Sequence, residues 1–258
     1  MITNFLVLRL LPLYSLDRPC SVQHFRLHPA AAKAVGQIGA WLLPQDCLLC
    51  GSPSGASILC RACSDSLPRL PPALCPVCAL PSPAGQTCGA CLREPPHFDA
   101  TVAGFRYDFP IDRLVQALKY DHRLALATWF AQALLHEPPR DAELMLALPL
   151  SRRRLSERGF NQALEIARPL ARSLGLPLAT EACSRVRESV PQARLPWQAR
   201  QGNVRGIFDC SLDLAGRSVI VVDDVMTTGA SLNEFARILK KHRARYVTNW
   251  VVARALRH

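Results

Sequence analysis

The second half of the chain alternates short apolar runs with longer amphipathic segments. Residues 219–222 form an apolar, β-branched run, typical of a strand buried on both faces of a parallel sheet. The pattern predicts strands over residues 101–107, 144–148, 219–222 and 246–252, and helices over 111–119, 161–174 and 231–242. Because strands and helices alternate, we predict an α/β fold: a mostly parallel sheet flanked by helices.

Composition divides the chain into three regions. Residues 1–43 are apolar and rich in alanine, and we expect an N-terminal extension with a short helix over 30–43. Residues 44–97 are rich in cysteine and proline and show almost no hydrophobic periodicity. Residues 98–258 carry the α/β pattern. The prediction is therefore an extension, a small cysteine-rich module and one α/β domain.

Eight of the eleven cysteines form an internal repeat. Each copy reads C-x2-C-x9-C-x2-C, and the second copy follows the first by 28 positions. Two CxxC knuckles direct four thiolates at one point, as a structural zinc site requires. So short a segment buries too little apolar surface to fold alone, so the metal would supply its folding energy. The predicted ligands are Cys47, Cys50, Cys60 and Cys63 in the first copy, and Cys75, Cys78, Cys88 and Cys91 in the second.

Disulfides and redox-active CxxC pairs are the alternatives to zinc. The apolar opening of the chain is short and broken by Arg9 and Pro12, so we expect no export signal and no membrane insertion. A cytoplasmic location follows as an expectation, and reduced thiols with it. Zinc pairing stays open between sequential and interleaved, although we favour one zinc per repeat. Cys20, Cys183 and Cys210 lack partners at ligand spacing and are expected to be ordinary small residues.

A cluster of hydroxyls and carboxylates follows the apolar run at 219–222. Asp223 and Asp224 come first, suited to accept hydrogen bonds from sugar hydroxyls. A small turn then leads into a predicted helix, whose N-terminal amides favour an anion. The predicted phosphate-binding residues are Thr227, Thr228, Gly229, Ala230 and Ser231. An ordinary N-capped helix is the alternative, but it leaves the paired aspartates unexplained.

A basic cluster follows the predicted strand at 144–148. Residues 152–158 hold four arginines, and Gly159 precedes the next helix. Arg158, Gly159 and Asn161 are the residues we expect to contact a second anion, while part of the cluster fits a solvated loop. The net charge of +11, from 31 Lys+Arg against 20 Asp+Glu, also favours phosphorylated or nucleic-acid ligands, although a genomic bias toward arginine explains it equally well.

These motifs carry a family resemblance. Residues 219–231 resemble the phosphoribosyl pyrophosphate (PRPP) motif of type I phosphoribosyltransferases. With the cysteine repeat and RGFNQ at 158–162, they resemble the ComF family, including the GntX-like proteins, over residues 41–255. Further matching positions are Phe105, Tyr107, residues 114–120, Gln192, Leu195, Arg200, Asn203 and Phe208; Val190 departs from an expected threonine.

The resemblance implies two hypotheses about function, and the sequence does not decide between them. As a phosphoribosyltransferase-like protein acting in DNA uptake (natural transformation) or in nucleotide-linked metabolism, it would bind PRPP with Mg²⁺. Asp223 and Asp224 would orient the ribose, and Arg158 would stabilise the leaving pyrophosphate. No acceptor site is recognisable, since residues 254–257 end the chain with charge instead of an aromatic hood. As a non-catalytic competence protein, it would bind single-stranded DNA beside a helicase-like partner during DNA uptake and use the fold to sense a ligand.

Overall fold

Parallel strands form the central sheet. The computed structural model describes residues 45–135, 141–187 and 205–256. Within these ranges the sheet comprises β3 (Ala100–Arg106), β4 (Leu144–Ala147), β5 (Leu178–Ala179), β8 (Ser218–Met226) and β9 (Tyr246–Arg254). The strand order is β3-β9-β8-β4-β5, and every neighbouring pair is parallel. β8 and β9 lie in the middle because their apolar, largely β-branched residues can be buried on both faces. The predicted α/β class is confirmed.

Helices pack on both faces of this sheet, and shorter ones lie in the neighbouring segments. They are α1 (Arg61–Asp65), α2 (Gly89–Arg93), α3 (Ile111–Tyr120), α4 (Ala125–Leu134), α5 (Arg152–Arg158), α6 (Gln162–Leu174) and α7 (Ala230–Lys241). α6 begins at the N-cap Asn161, whose Oδ1 accepts from the N–H of Ala163 at 3.0 Å, and ends at left-handed Gly175. The three predicted helices are confirmed to within one residue at each end.

The core divides between the two faces of the sheet. On one face, Ile220 and Val222 of β8 pack in a buried cluster with residues of α3, α4 and α6. On the other, Val219 and Val221 pack with residues of α7, among them Phe235. Successive strand residues point to opposite faces, so one apolar strand serves both clusters.

The cysteine-rich module adds short elements to these faces. β1 (Gln45–Asp46) and β2 (Pro53–Gly55) pair antiparallel, and each repeat contributes one single-turn helix, α1 or α2. The module is joined to β3 by backbone hydrogen bonds from Thr101 N to Pro76 O (3.1 Å) and from Arg106 N to Pro68 O (2.9 Å). Its cysteines enter the main buried clusters, so the module packs as part of the α/β core.

Some sequence predictions were wrong or incomplete. β8 continues through Met226, so the paired aspartates lie within the strand instead of after it. The basic segment predicted as a loop contains helix α5, capped by Ser151, whose Oγ accepts from Arg154 N. Helix α4 and an antiparallel pair, β6 (Cys183–Arg185) with β7 (Phe208–Cys210), were not predicted.

Other predictions lie outside the described residues. These are the extension over 1–43 with its helix, Cys20, and the matching positions at 190–203. Among the residues described, the helices are too short or too polar to cross a membrane.

Candidate functional site

The loops after β4 and β8 meet at one edge of the sheet. The two strands are parallel neighbours, and Leu148 N donates to Val222 O at 2.9 Å just beyond the end of β4. Ligands of open α/β sheets bind at this edge, beyond the carboxyl ends of the strands. Here the two loops enclose a cavity of about 230 Å³. It brings together nine predicted residues, Asp223, Asp224, Thr227, Thr228, Gly229, Ala230, Ser231, Arg158 and Asn161.

The turn between β8 and α7 is a cup of small residues. Gly229 has a φ of +80°, which strains any residue with a Cβ, and a Cβ there would lie 2.6 Å from Cε of Met226 and displace the end of that side chain. Thr228 Oγ1 accepts from Ala230 N at 3.2 Å, and Gly229 itself provides no side-chain cap. The first turn of this twelve-residue helix therefore lines the cavity with its N–H groups and positive dipole end. Such an arrangement favours an anion with several oxygens.

The two aspartates at the end of β8 have different environments. Asp224 is 4% exposed and its Oδ2 lies 2.9 Å from Nζ of Lys119. Asp223 Oδ1 accepts from the N–H of Asp224 at 2.8 Å. Burial, and then the neighbouring charge of Asp224, raise the pKa of Asp223 to about 8. Asp223 is therefore the carboxyl group whose charge a ligand at this edge can change.

Lys119 received no functional role from the sequence. Burial alone would lower its pKa, but the charge and hydrogen bond of Asp224 outweigh burial and raise it. Lys119 lies four residues after Val115 and eight after Ile111, both buried on α3. A lysine on the apolar stripe of an amphipathic helix is a signal that could have indicated a buried ion pair, although not the identity of the partner.

The basic segment after β4 splits into a cavity side and an exposed side. Arg154 and Arg158 line the 230 Å³ cavity, whereas Arg152 and Arg153 are exposed. Arg158 is positioned by Tyr120, donating from Nη2 to its hydroxyl at 3.1 Å with its guanidinium 5.0 Å from the ring centroid. The same cavity is thus lined by arginines and by the cup of amides, as a ligand with more than one anionic group requires.

Gly159 and Asn161 have different positions. Gly159 ends α5 with a φ of +76° and lines a second cavity of about 760 Å³ instead of the smaller one. Asn161 lines both, and its Nδ2 donates to Leu148 O at 3.1 Å, which fixes the loop after β4. The structure therefore brings Asn161 to the predicted site and places Gly159 beside it.

Arg254, one of the charged residues at positions 254–257, received no structural role from the sequence. This residue is 3% exposed and lies behind the cup of amides. Its Nη1 donates to Met226 O (2.8 Å), and also to the carbonyl of Thr227. Its Nε donates to Cys78 O at 2.8 Å, in the second cysteine repeat. A single guanidinium thus connects the turn before α7 to that repeat.

The cysteines group repeat by repeat, as favoured from the sequence. Within each group the four Sγ atoms lie within 4.8 Å of one another, and the groups are Cys47, Cys50, Cys60 and Cys63, and Cys75, Cys78, Cys88 and Cys91. Zinc–sulfur bonds of ~2.3 Å in a tetrahedron separate the sulfurs by ~3.8 Å. Two sulfur pairs, Cys50–Cys60 and Cys78–Cys88, are 3.7 Å apart. Both groups therefore fit tetrahedral zinc with all positions filled by thiolates.

Backbone amides complete these groups. Cys63 N donates to Cys60 Sγ at 3.5 Å, and Cys88 N donates to Cys75 Sγ at 3.3 Å. Such N–H···S bonds orient thiolate ligands and reduce their charge in a metal site. Both groups are suited to a structural metal, because four thiolates would fill all coordination positions and leave none for a substrate.

Comparison with known proteins matches both parts of the chain. Residues 38–92 match the family of the double zinc ribbon domain, and residues 161–257 match the phosphoribosyl transferase domain. A "DNA utilization protein YhgH" from Salmonella typhi is 34% identical over 247 residues, 92% of this chain and 94% of that protein. "Competence protein F" from Haemophilus influenzae is 30% identical, covering 64% of this chain and 76% of that protein. "Competence protein ComFC" from Bacillus subtilis is 26% identical, covering 81% and 78%.

Proposed function

The chain belongs to the ComF family, and we propose that it binds PRPP, or a related ribose phosphate, in the 230 Å³ cavity. One observation carries the proposal: a cup of amides and hydroxyls, a pair of aspartates and two arginines line the same cavity. A 5-phosphate, a ribose and a pyrophosphate need these three kinds of group. The match to the phosphoribosyl transferase domain supports the proposal, since it includes the whole β8–α7 segment.

Each part of the ligand has a proposed partner. The amides and hydroxyls of residues 227–231 hold the 5-phosphate at the N-terminus of α7. Asp223 accepts hydrogen bonds from the ribose hydroxyls, while Lys119 holds the neighbouring Asp224 side chain in place through its 2.9 Å contact. Arg154 and Arg158 face the pyrophosphate, with Asn161 fixing the loop that carries them.

Magnesium is the metal we propose to accompany the ligand. Carboxylate and phosphate oxygens are the donors that Mg²⁺ prefers. Because Asp224 is already paired with Lys119, Asp223 is the carboxylate that would contact the metal or its water. Bound there, the metal would neutralise pyrophosphate charge.

Phosphoribosyl transfer is the enzymatic form of the proposal. As the bond to pyrophosphate breaks, negative charge develops on the leaving group, and Arg158 would stabilise it. The 760 Å³ cavity beside the site, which shares Asn161 and Arg185 with it, is where an acceptor would enter. In the non-catalytic alternative, the same residues bind the ligand as a signal, and no acceptor is needed.

Calorimetric titration of PRPP with MgCl2 into the zinc-loaded protein tests the binding. We expect one site per chain, with at least tenfold weaker binding in Asp223→Asn, because a ribose partner is lost. Asp209→Asn, at an exposed position on β7, is the matched control and should bind like the wild type. Absence of binding to folded, zinc-loaded wild type would contradict the proposal.

Single-stranded DNA binding is the second function we propose. The names of the relatives refer to DNA utilization and competence, and Arg152 and Arg153 expose their charge beside the site. Phosphate contacts by such arginines give affinity without sequence readout. In this role the protein acts in the cytoplasm during DNA uptake, beside a helicase-like partner.

Fluorescence anisotropy of a labelled single-stranded oligonucleotide at several salt concentrations tests this second role. Arg152→Ala/Arg153→Ala should weaken binding and reduce the slope of log K against log salt by about 1.4, since about 0.7 is lost per phosphate contact. Arg217→Ala/Arg243→Ala, at two other exposed arginines, should leave the slope unchanged. Equal slopes in all three proteins would remove this face from the interface.

A further inference from the structure

Two cysteines outside the zinc ligand groups face each other across β6 and β7. Cys183 and Cys210 are direct partners in the antiparallel register, and their Sγ atoms are 2.9 Å apart. This is shorter than the 3.7 Å between sulfurs within the ligand groups. Both were expected to be ordinary small residues, because neither has a partner at ligand spacing in the sequence.

The backbone at this pair has the geometry that a disulfide needs. Ser211 N donates to Ala182 O at 2.9 Å, and Val186 N donates to Ile207 O at 2.8 Å. In the alternating antiparallel pattern, the cysteine pair next to this first bond is then a non-hydrogen-bonded pair, for which Cα atoms are ~4.5 Å apart. That separation falls within the Cα range of ~4.4–6.8 Å found in disulfides, so closing the bond requires little backbone movement.

This pair lies outside the groups of the described residues that could hold a metal. Among the described residues, the groups of three or more potential metal ligands are the two four-cysteine groups, and neither contains Cys183 or Cys210. A dithiol without further ligands has oxidation as its available chemistry.

The pair is both accessible and activated. Cys183 is half-buried and lines the 760 Å³ cavity, whereas Cys210 is 4% exposed. The hydrogen bond from Cys183 lowers the pKa of Cys210 to about 6, against the opposing effect of burial. The two sulfurs therefore share one proton near neutral pH, and the cavity gives a small oxidant a route to them.

We propose that Cys183 and Cys210 form a redox-active dithiol that closes to an intramolecular disulfide on exposure to a peroxide. The thiolate attacks one peroxide oxygen, the O–O bond breaks, and a sulfenic acid and water form. The second thiol attacks that sulfur, the S–S bond forms, and a second water leaves. Two thiols and one hydrogen peroxide thus yield one disulfide and two waters. In reducing cytoplasm such a bond is transient and suits a sensor.

The disulfide would fix one wall of the 760 Å³ cavity. β6 also carries Arg185, which lines both cavities and lies with its Cζ 5.8 Å from the ring centroid of Phe208 on β7. Phe208 packs on Phe235 of α7 with ring centroids 5.1 Å apart. A covalent bond between β6 and β7 therefore couples the oxidation state to the strand that carries Arg185.

Peptide mapping of the zinc-loaded protein tests the proposal. A Cys20→Ser background leaves this pair as the thiols outside the two repeats. After one equivalent of hydrogen peroxide and alkylation, we expect a non-reduced peptide pair joining Cys183 to Cys210, with a mass loss of 2 Da that dithiothreitol reverses. If both cysteines are recovered alkylated, or are linked only to repeat cysteines or between chains, the proposal is overturned.

A second measurement distinguishes a closed dithiol from general oxidation. Hydrogen exchange of the β6 and β7 amides should slow at least tenfold on peroxide treatment of the wild type, because the strands can no longer separate. Cys183→Ser/Cys210→Ser, which changes one atom per side chain, should show no such slowing. Equal slowing in this variant, or none in the wild type, overturns the proposal.

Discussion

The two cysteine repeats have the same spacing but different positions in the molecule. In the first, Cys47 is buried while Cys50 is exposed; in the second, three of the four cysteines are buried. The first repeat packs in the cluster with α3, α4 and α6, and the second in the cluster with α7. Only the second is joined to the turn before α7 by Arg254, among the contacts described here.

Because of this difference, loss of zinc should have different effects on the ligand site in the two repeats. Both groups fit the same metal with the same ligands, so both repeats fold locally for the same reason. The second repeat also supports the cup of amides, through Cys78 O and through Met226, which shares its buried cluster. We infer that loss of the second zinc disturbs the ligand site and that loss of the first does so far less.

The largest expected effect comes from removing one ligand of each zinc in turn. Cys78→Ser should release one zinc per chain and lower Tm by about 10 °C or more, since the buried group loses the metal that organises it. Cys50→Ser, at the exposed ligand of the first repeat, should also release one zinc but lower Tm by less than half as much. Zinc quantification with differential scanning calorimetry gives both values. Equal decreases in Tm for the two variants would contradict the proposed difference between the repeats.

Arg254→Met tests the connection while leaving all eight ligands in place. The variant leaves the buried carbonyl of Cys78 without this donor and removes one of the two donors to Met226 O, which still accepts from Ala255 N at 3.0 Å. We expect a loss of about 3 kcal/mol in the free energy of unfolding, measured with urea. Arg243→Met, which removes an exposed arginine paired with Asp213, is the matched control and should have little effect. A similar decrease in the free energy of unfolding in both variants would show that the contacts of Arg254 with the second repeat and the turn before α7 do not stabilise the fold.

Gly229→Ala tests how tightly the cup is packed against the second repeat's cluster. The added Cβ meets Met226 Cε at 2.6 Å and adopts a positive φ, so we expect a loss of about 2 kcal/mol. Gly216→Ala has a similar φ of +73° with nothing within 4 Å, and isolates the backbone cost of about 1 kcal/mol. The difference between the two variants in urea unfolding measures the packing contact, and a difference of zero would argue against it.

The smallest expected effect is a pH dependence that reports on the intact site. The pKa of Asp223 is raised to about 8 in the folded protein, so folding takes up a proton between about pH 4 and that value. Stability should therefore fall as pH rises through this range, by about 1–2 kcal/mol because water screens a partly exposed carboxyl group.

The control for this pH dependence is Asp223→Asn, which should be flatter than the wild type across the same range. Cys50→Ser should keep the wild-type slope, because this substitution in the first repeat leaves the cavity around Asp223 intact. Urea unfolding at several pH values measures these slopes. A rise in wild-type stability between pH 5 and 8, relative to Asp223→Asn, would contradict the assigned shift.

The sequence predicted those parts of the site that neighbouring residues encode. The ligand groups follow from CxxC spacing, and the cup follows from a β-branched run, two aspartates and a small hydroxyl-rich turn before a helix. Each is a local signal with its own chemistry. The cup and the basic segment lie together because the parallel strands β4 and β8 end at the same edge of the sheet.

The parts that were missed depend on contacts between distant residues. Lys119 and Asp224 are 105 positions apart, and Arg254 reaches Cys78 across 176 positions. Cys183 and Cys210 are paired only by the register of two short strands. In each case the residue type is ordinary and the partner is set by the fold, so no local pattern identified it.

The most direct test is calorimetric titration of PRPP with MgCl2 into three proteins: zinc-loaded wild type, zinc-loaded Arg254→Met, and Cys50→Ser, which should keep the zinc of the second repeat. The account predicts one site with similar affinity in the wild type and Cys50→Ser, and at least tenfold weaker binding in folded Arg254→Met. Equal affinity in all three would show that the second repeat does not support the site. No binding to the folded wild type would contradict the proposed ligand itself.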